Sequence, residues 1–372
     1  MAIFKAGSQF GVDMDALEFA PLNGGVVSLA VASTLYADLP GGDRDALFGT
    51  FSYDGAGRLA GGVLNHVQEN LNGLLHFDIS GFSISAATFV RSVQNGDVLQ
   101  ALGMALSEND TITGTHFDDR FYGFAGDDTI VGGGGYDVIN GGDGNDVIRV
   151  GPAVGTGETV MRGDDGNDSL TGGDNFDDLG GGAGNDTLDG GAGKSYLRGD
   201  DGNDSVTGGA SFDDINGNAG ADTAHGGAGG DWVVGGKDND LLFGDDGDDI
   251  VYGNLGADTA DGGTGADLVR GGQGDDSLTG GAGNDWLSGD KGADTISGGA
   301  GADTFHASPD AGADRIVDFS AAEGDRVQMD IGAAYTSAQV GADTVITVIG
   351  GAQMTLVGVA LASLSSGWIF EA

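Results

Sequence analysis

The chain of 372 residues contains no cysteine, only four prolines and only 14 lysine and arginine residues. Without cysteine the chain can form no disulfide bond, and the sequence does not indicate whether its environment is oxidising or reducing. The few basic residues stand against 58 acidic ones, which gives a net charge of −44. Such a charge argues against binding to nucleic acid or to an anionic membrane surface.

Long hydrophobic runs are also missing. The N-terminal sequence "MAIFKAGSQFGVDMDALEF" has one lysine and no apolar core, so it is not a secretory signal peptide. The most apolar stretch, "GVVSLAVASTLY" at 25–36, is too short to span a bilayer. Composition alone therefore predicts a cytoplasmic chain, or one exported by a route that needs no N-terminal signal, with no membrane span.

Glycine and aspartate dominate what is present. The chain has 77 glycines, and only six of its 58 acidic residues are glutamate. A short carboxylate beside glycine suits tight turns and the coordination of hard cations. No three-residue glycine period of the collagen type occurs.

These residues recur in a nine-residue pattern, G-G-x-G-x-D-x-U-x, in which U is apolar. Sixteen units run without a slip from Gly163 to His306, and four more run from Gly114 to Arg149. Residues 150–162 between them form an irregular insert of one degenerate unit and four extra residues. A period maintained over this length predicts a solenoid.

Each position of the unit has a physical role. Glycine at positions one, two and four permits the left-handed backbone of a tight turn. Positions seven to nine form a short strand, so the residue at position eight points inward. That position is apolar from Phe121 to Phe305, with Ala224 and Ala260 as the smallest members. This continuous apolar row argues against a disordered acidic linker.

Two units would complete a coil of 18 residues with two facing parallel sheets. Carboxylates at position six from neighbouring coils favour Ca²⁺ over zinc or copper, which prefer histidine or cysteine. We therefore expect many Ca²⁺ ions, held by the position-six aspartates. The candidate metal ligands are Asp119, Asp128, Asp137, Asp146, Asp168, Asp177, Asp186, Asp204, Asp213, Asp222, Asp231, Asp240, Asp249, Asp258, Asp267, Asp276, Asp285, Asp294 and Asp303.

The repeat resembles that of the RTX family, whose nonapeptides are of the hemolysin type and bind calcium. The segment "GADTFHASPDAGADRIVDFSAAEGDRVQMDIG" and the tail "SSGWIFEA" are similar to the C-terminal region of serralysin-type members. The resemblance implies a secretion signal at the C-terminus, a type I secretion apparatus as a partner, and an extracellular or cell-surface location in a Gram-negative bacterium. The family includes proteases, lipases, epimerases, cytolysins, adhesins and surface-layer proteins, so the fold does not fix an activity.

The fold predicted is all-β: a calcium-loaded parallel β-roll at 108–306, with a small mixed α/β cap domain at 1–107 and a β-rich C-terminal domain at 307–372. In the cap, residues 49–84 predict a strand meander with turns at "DGAG" and "ENLNG". Residues 85–107 predict two short helices, broken at Asn95 and Gly96, that cover the open end of the solenoid.

No catalytic motif is found. None of the five histidines belongs to H-E-x-x-H, and no G-x-S-x-G occurs. The sequence therefore predicts a protein that is not an enzyme, with a structural role in a surface layer, matrix or adhesin that associates with itself. A carbohydrate-active or hydrolytic enzyme, with the roll as its folding and secretion module, is the alternative. A module that binds cell-surface polysaccharide is a third possibility.

The two edges of the predicted roll differ. We call the turns with Asp128, Asp146 and the following alternate units the first edge, and those with Asp119, Asp137 and their alternates the second edge. The first edge keeps every aspartate, whereas the second has Thr159 and Ser195 instead, provided that the insert preserves the alternation. This pattern predicts an uninterrupted row of ions on the first edge and gaps on the second.

An apolar stripe lies at position seven of the second set of units, with Trp232, Ile250, Leu268 and Trp286 at intervals of 18 residues. A bare stripe of this length is unusual on a soluble monomer. We expect Trp232 and Trp286 to be covered by residues 307–372, by the N-terminal third or by another copy of the chain.

Overall fold

The computed structural model describes residues 109–114, 119–151 and 158–372, together with the backbone of six strands before residue 86. The chain forms two compact units, Met1–Ser169 and Leu170–Ala372. Its architecture is all-β, a parallel β-solenoid of about 12 turns, as the sequence predicts. The proposed domain boundaries at 107 and 306 stay a prediction.

The first unit begins with antiparallel strands. They are β1 (Phe4–Ala6), β2 (Phe10–Asp13), β3 (Ala32–Asp38), β4 (Arg44–Tyr53), β5 (Leu59–Leu71) and β6 (Leu74–Ser85). Strands β4, β5 and β6 pair in succession, so the predicted meander is confirmed. The two helices predicted at 85–107 lie outside the described residues.

The meander leads directly into the solenoid. Strand β7 (Thr111–Thr113) pairs antiparallel with β6, with Ile79 opposite Ile112. The same β7 pairs parallel with β9, with Ile112 opposite Ile130. Strand β6 therefore takes up the free edge of the first roll strand, where unpaired backbone groups would otherwise face solvent.

The roll strands alternate between two sheets. They are β8 (Arg120–Ala125), β9 (Thr129–Val131), β10 (Asp137–Asp143), β11 (Val147–Arg149), β12 (Thr159–Asp165), β13 (Ser169–Thr171), β14 (Asp177–Ala183), β15 (Thr187–Asp189), β16 (Ser195–Asp201), β17 (Ser205–Gly209), β18 (Asp214–Ala219), β19 (Thr223–Ala228), β20 (Trp232–Lys237), β21 (Leu241–Asp246), β22 (Ile250–Leu255), β23 (Thr259–Thr264), β24 (Leu268–Gln273), β25 (Ser277–Ala282), β26 (Trp286–Lys291), β27 (Thr295–Ala300) and β28 (Thr304–Ala307).

Within each unit, each roll strand pairs in parallel with the strand two places along the chain. From β14 to β28 the register is a constant 18 residues, as in Trp232 opposite Ile250 and Leu268 opposite Trp286. In the first unit, β10 pairs with β12 so that Asp137 lies opposite Thr159. The insert at 150–162 therefore preserves the alternation of the two edges, as the sequence analysis assumed.

The core is the single apolar row at position eight. Its side chains are fully buried, including the small Ala224 and Ala260, while the flanking residues of each strand face outward. The members of this row are Phe121, Ile130, Ile139, Ile148, Met161, Leu170, Leu179, Leu188, Leu197, Val206, Ile215, Ala224, Val233, Leu242, Val251, Ala260, Val269, Leu278, Leu287, Ile296 and Phe305. One buried side chain per nine residues is a thin core, so apolar burial alone stabilises each coil only weakly.

Most of the described turns have left-handed backbone at positions two and four. Where glycine is absent at position two, asparagine or aspartate usually replaces it, as at Asp200, Asn218 and Asp245 with φ of 71–75°. These two residue types tolerate that region best after glycine. Phe124 is the exception, at φ 75°. On the first edge, one non-glycine residue has left-handed backbone at position four, Asp238 at φ 72°.

A row of side chains at position five ties neighbouring turns together. The amide of Ala221 donates to Asn203 Oδ1 at 2.8 Å, and the amide of Ala266 donates to Asp248 Oδ1 at 2.8 Å. The same bond recurs from Ala293 to Asp275 at 2.9 Å. Asparagine or aspartate at position five thus satisfies a backbone donor of the next coil on the same edge.

The C-terminal residues continue the roll before folding over it. Their strands are β29 (Ala313–Ile316), β30 (Arg326–Met329), β31 (Tyr335–Val340), β32 (Asp343–Val348), β33 (Gln353–Leu356) and β34 (Ile369–Glu371), with a short 3₁₀ turn at Leu361–Ser363. Strand β29 adds in parallel to β27, and β30 adds in parallel to β28. The predicted β-rich C-terminal segment is therefore present, and it is continuous with both sheets.

The apolar stripe is covered at one end. Trp286 is half-buried, its indole N–H donates to Gln328 Oε1 at 2.9 Å, and its ring stacks on His306 with centroids 5.2 Å apart. Trp232 remains 43% exposed. The C-terminal residues thus cover Trp286, while the expected cover over Trp232 stays a prediction. In the described part of the chain, no helix has the length and apolar character needed to cross a membrane.

Replacing Gly247 by alanine should destabilise the roll strongly. A Cβ at Gly247 would overlap the carbonyl oxygen of Gly229 in the preceding coil, in addition to the strain of φ 151°. Gly351 offers a matched control, since its φ is 113° but a Cβ there would meet nothing within 4 Å. The strain alone costs about 1–2 kcal/mol, so G247A should lower the thermal midpoint in calcium well below that of G351A. Equal midpoints would show that the coils can separate to admit a methyl group.

Candidate metal centre

The position-six aspartates stand at the start of each roll strand. Asp204, for example, immediately precedes β17, and Asp249 immediately precedes β22. The described members of both rows are buried, with 6% exposure or less. Parallel pairing at a constant register places each of these side chains directly beside its counterpart one coil away.

One carboxylate oxygen has a fixed partner. The amide of Asp204 donates to Asp222 Oδ1 at 2.8 Å, and the amide of Asp222 donates to Asp240 Oδ1 at 2.9 Å. On the second edge, the amide of Asp231 donates to Asp249 Oδ1 at 2.7 Å. Each Oδ1 therefore accepts from the coil before it, and the bond orients the whole carboxylate.

The other oxygen has no hydrogen bond. Among the described residues, the buried Oδ2 atoms that accept none belong to Asp128, Asp146, Asp204, Asp222, Asp240, Asp258, Asp276 and Asp294 on the first edge, and to Asp213, Asp231, Asp249, Asp267, Asp285 and Asp303 on the second. A buried oxygen without a partner is costly, and in native proteins it usually faces an ion or a water. A repeated row of such atoms indicates a repeated ligand.

A second oxygen converges on the same place in each turn. A Cβ added to Gly262 would lie 2.6 Å from Asp267 Oδ2 and 2.6 Å from the carbonyl oxygen of Gly280 in the next coil. At Gly280 the corresponding atoms are Asp285 Oδ2 at 2.5 Å and the carbonyl oxygen of Gly298 at 2.6 Å. Position-one glycine thus leaves a small space lined by a carboxylate and a carbonyl from two successive coils.

This donor set fits Ca²⁺. Calcium takes six to eight oxygen ligands, including carboxylates and backbone carbonyls, with flexible geometry. In the described part of the chain no three acidic, histidine or cysteine side chains converge on one point. A cation at these turns would therefore take most of its ligands from backbone carbonyls of the turns. The assignment of the 19 aspartates as ligands stays a prediction.

Burial dominates the electrostatics of the row. It raises the pKa of Asp240 to about 7, although the bond from the Asp222 amide lowers it, and the charges of Asp222 and Asp258 add to the rise. Burial likewise raises the pKa of Asp249 and Asp276 to about 7 and that of Asp285 to about 6. Without a cation, these carboxylates resist ionisation at neutral pH.

The second edge is altered at Ser195. The Ser195 hydroxyl donates to the carbonyl oxygen of Gly190 at 3.3 Å, and that oxygen lies beside the Asp177 carboxylate. Because Ser195 has no carboxylate oxygen to accept a hydrogen bond, the amide of Asp177 donates instead to the carbonyl oxygen of Lys194 at 3.2 Å. Asp177 Oδ2 accepts from the amide of Gly173 at 2.7 Å. Both oxygens that line an ordinary site are thus engaged here, which supports the predicted gap.

Three further aspartates extend the rows and were missed by the nonapeptide register. The amide of Asp110 donates to Asp128 Oδ1 at 2.7 Å, so Asp110 begins the first edge. The amide of Asp294 donates to Asp314 Oδ1, and the amide of Asp303 donates to Asp325 Oδ1 at 3.0 Å. The sequence did contain a signal for these three aspartates, because they begin "DTIT", "DRIV" and "DRVQ", which all match D-x-U-x. Steps of 20 and 22 residues replace the usual 18 at the C-terminal end.

Acid should stabilise the calcium-free roll. A carboxyl whose pKa is about 7 in the fold and 3.8 when exposed binds more protons folded than unfolded. The stabilisation is therefore complete below about pH 4 and is lost as the pH rises through about 7. We expect circular dichroism of calcium-depleted protein to show more β-structure at about pH 5.5 than at about pH 8. A β-signal that falls on acidification would contradict the pKa assignments.

Restoring the missing carboxylate should restore an ion site. We expect Ser195→Asp to raise the calcium stoichiometry by about one ion in calorimetry, since it supplies an Oδ1 for the Asp177 amide and releases Gly190. Ser205→Asp adds the same charge at an exposed outward position and should leave the stoichiometry unchanged. An equal gain of bound calcium in both variants would contradict the prediction that Ser195→Asp restores a specific site.

A comparison with protein families matches the repeat from which these turns are built. A family model of four copies of the RTX calcium-binding nonapeptide repeat matches residues 105–139, 122–152, 155–188, 162–197, 189–224, 198–233, 225–260, 252–287, 261–295 and 279–316. None of the curated proteins compared matches the chain.

Two solved structures share local similarity. The AlgE6R3 subunit of the mannuronan C5-epimerase from Azotobacter vinelandii is 30% identical over 34% of this chain and 80% of its own, with a TM-score of 0.24. The extracellular lipase LipA from Serratia marcescens is 21% identical over 55% of this chain and 40% of its own, with a TM-score of 0.22. The repeat model, by contrast, covers more than half of the chain. The chain therefore belongs to the family of proteins with RTX calcium-binding nonapeptide repeats.

Proposed function

We propose that this protein binds Ca²⁺ along both edges of the roll, and that this binding supplies the free energy that folds it after export. The observation that carries the proposal is the row of buried Oδ2 atoms that accept no hydrogen bond, several of which, such as those of Asp267 and Asp285, lie close to a glycine carbonyl of the next coil. A cation there would satisfy both oxygens and neutralise stacked charges. Binding free energy then becomes folding free energy.

The role after folding is structural in this proposal. RTX repeats are typical of secreted proteins, and calcium outside the cell matches the weak affinity of extracellular modules, about 10⁻⁴ to 10⁻³ M. The chain would leave a Gram-negative cell unfolded through a type I apparatus and fold at or near the cell surface. Contact with another copy is supported by large apolar side chains left in solvent, such as Ile331 at 82% and Ile349 at 72% exposure.

One cluster has the residue types of a hydrolase but not the geometry. Ser288 Oγ lies 3.3 Å from His306 Nδ1, and His306 Nε2 lies 3.1 Å from Asp330 Oδ1. The Ser288 residue is 1% exposed, however, and its hydroxyl is 2.7 Å from Asp290 Oδ1, to which it donates. A buried hydroxyl that is already bonded to a carboxylate cannot reach a substrate. This cluster gives no support to the enzymatic alternative.

A pair of adjacent residues tests the metal sites. Asp249→Asn removes the charge of a buried carboxylate, and Asp248→Asn removes that of its exposed neighbour, while both keep an oxygen for the hydrogen bond to Oδ1. We expect D249N to need several times more calcium to fold, since one carboxylate ligand contributes strongly to calcium affinity, and D248N to differ little. Circular dichroism during calcium titration measures both midpoints.

The stability of the calcium-free roll should also differ between the two variants. D249N removes a buried charge and should stabilise the calcium-free roll, whereas D248N should not. The chain without calcium at neutral pH should otherwise be largely unstructured. Native β-structure retained in excess chelator at neutral pH would overturn the proposal, as would equal calcium midpoints for the two variants.

A further inference from the structure

In one part of the roll, the basic side chains on the strands are confined to one sheet. Between residues 187 and 300, the strands on one sheet carry Arg198, Lys237, Arg270 and Lys291. The strands of the other sheet carry no lysine or arginine in this range. In a chain with a net charge of −44, this is the one face of the described roll where positive charge collects.

Three of these cations line a groove of about 730 Å³. Its wall includes Lys237, Arg270, Lys291, Asn254 and Gln273, and it follows β20, β22, β24 and β26 along the stack of coils. His306, Ser308 and Asp310 close it at the C-terminal end. The groove lies apart from the position-six aspartates, which are buried inside the turns.

The groove is built from rows in strict register. One row runs from Lys237 to Leu255, Gln273 and Lys291. The row beside it runs from Asn218 to Gly236, Asn254, Gly272 and Asp290. Neighbouring strands are about 4.8 Å apart, so the backbones of the two lysines stand about 14 Å apart, with Leu255 and Gln273 between them.

The two lysines are the cations available to a ligand. Arg270 already donates to Asp290 Oδ2 through Nε at 2.9 Å and Nη2 at 2.7 Å, and its guanidinium lies over the Tyr252 ring. Lys237 and Lys291 are exposed and form no ion pair with the described residues. Beside the ion pair, Tyr252, Asn254 and Asp290 line a smaller recess of about 160 Å³.

We propose that this groove binds an extended, carboxylated polysaccharide along the axis of the roll. Sugar rings of an extended glycan repeat at nearly the spacing of the coils, so the same contacts can recur. Carboxylates would pair with Lys237 and Lys291, and hydroxyls would bond Asn254 and Gln273, which offer both a donor and an acceptor. The Tyr252 ring supplies an apolar surface for a sugar face.

The spacing of the charges favours this ligand over others. Two exposed lysines on strands about 14 Å apart are too sparse for a polyphosphate. The inference depends on the proposed calcium-driven folding only because the roll must be folded to form the groove.

The test uses the folded protein in calcium and a matched pair of ligands. Hexagalacturonate and hexaglucuronate carry carboxylates, and their methyl esters keep the same rings without charge. Lys237→Gln with Lys291→Gln removes both free cations. Arg149→Gln with Lys194→Gln removes two exposed cations elsewhere, so the net charge changes equally. Calorimetry measures binding, and circular dichroism checks that the calcium midpoint is unchanged.

We expect one of the two acidic hexamers to bind, and the groove double variant to bind it at least about tenfold more weakly, since each bond to a charged group contributes about 1.5–3 kcal/mol. The control double variant should bind like the parent, and both esters should bind weakly. Asn254→Ala with Gln273→Ala should also weaken the acidic hexamer.

Three results would overturn the proposal: no binding of either acidic hexamer to the folded protein, an equal loss in both double variants, or tighter binding of hexaglutamate than of the sugars. A roll that is folded without calcium would instead refute the proposed function and leave this test intact.

Discussion

The rest of the structure depends on one arrangement that recurs along the roll: a buried aspartate such as Asp222 or Asp240, with one oxygen held by the amide of the coil before and the other left without a hydrogen bond. The first oxygen fixes the position of the carboxylate, and the second is available to a cation. Because the apolar core is one side chain deep, it cannot compensate for a row of buried charges. In the proposed function, calcium is therefore part of the stability of this fold as well as its ligand.

Glycine makes this arrangement possible at two positions of the repeat. At position one it leaves room for the carboxylate and the carbonyl to approach, and at position four it lets successive coils stack without a side chain between their backbones. Asparagine and aspartate serve at position two because their backbone tolerates the left-handed region. The composition of the chain, rich in glycine and aspartate and poor in glutamate, follows from the geometry of the turn.

Sequence reasoning went furthest where the period was regular. The nine-residue register identified the two sheets, the buried row and the difference between the edges, since each follows from spacing alone. It missed Asp314 and Asp325 because the C-terminal coils are longer by two and four residues, although D-x-U-x persists there. It also missed the position-five bonds, because they join turns 18 residues apart and their donor is a backbone amide, which alanine provides as well as asparagine. The groove beside Tyr252 depends on which outward residues become neighbours, and this appears only once the coils are stacked.

The change at Ser195 has a mechanical consequence. Every regular coil in the second unit is tied to the next by carboxylates on both edges, but the Asp177 coil is tied to the Ser195 coil through a carboxylate on one edge and a lone backbone bond on the other. A stack joined in series yields at its weakest link when it is pulled. Tension along the axis would therefore open this joint first, and the coils beyond it, with both rows of carboxylates intact, would remain folded as a block.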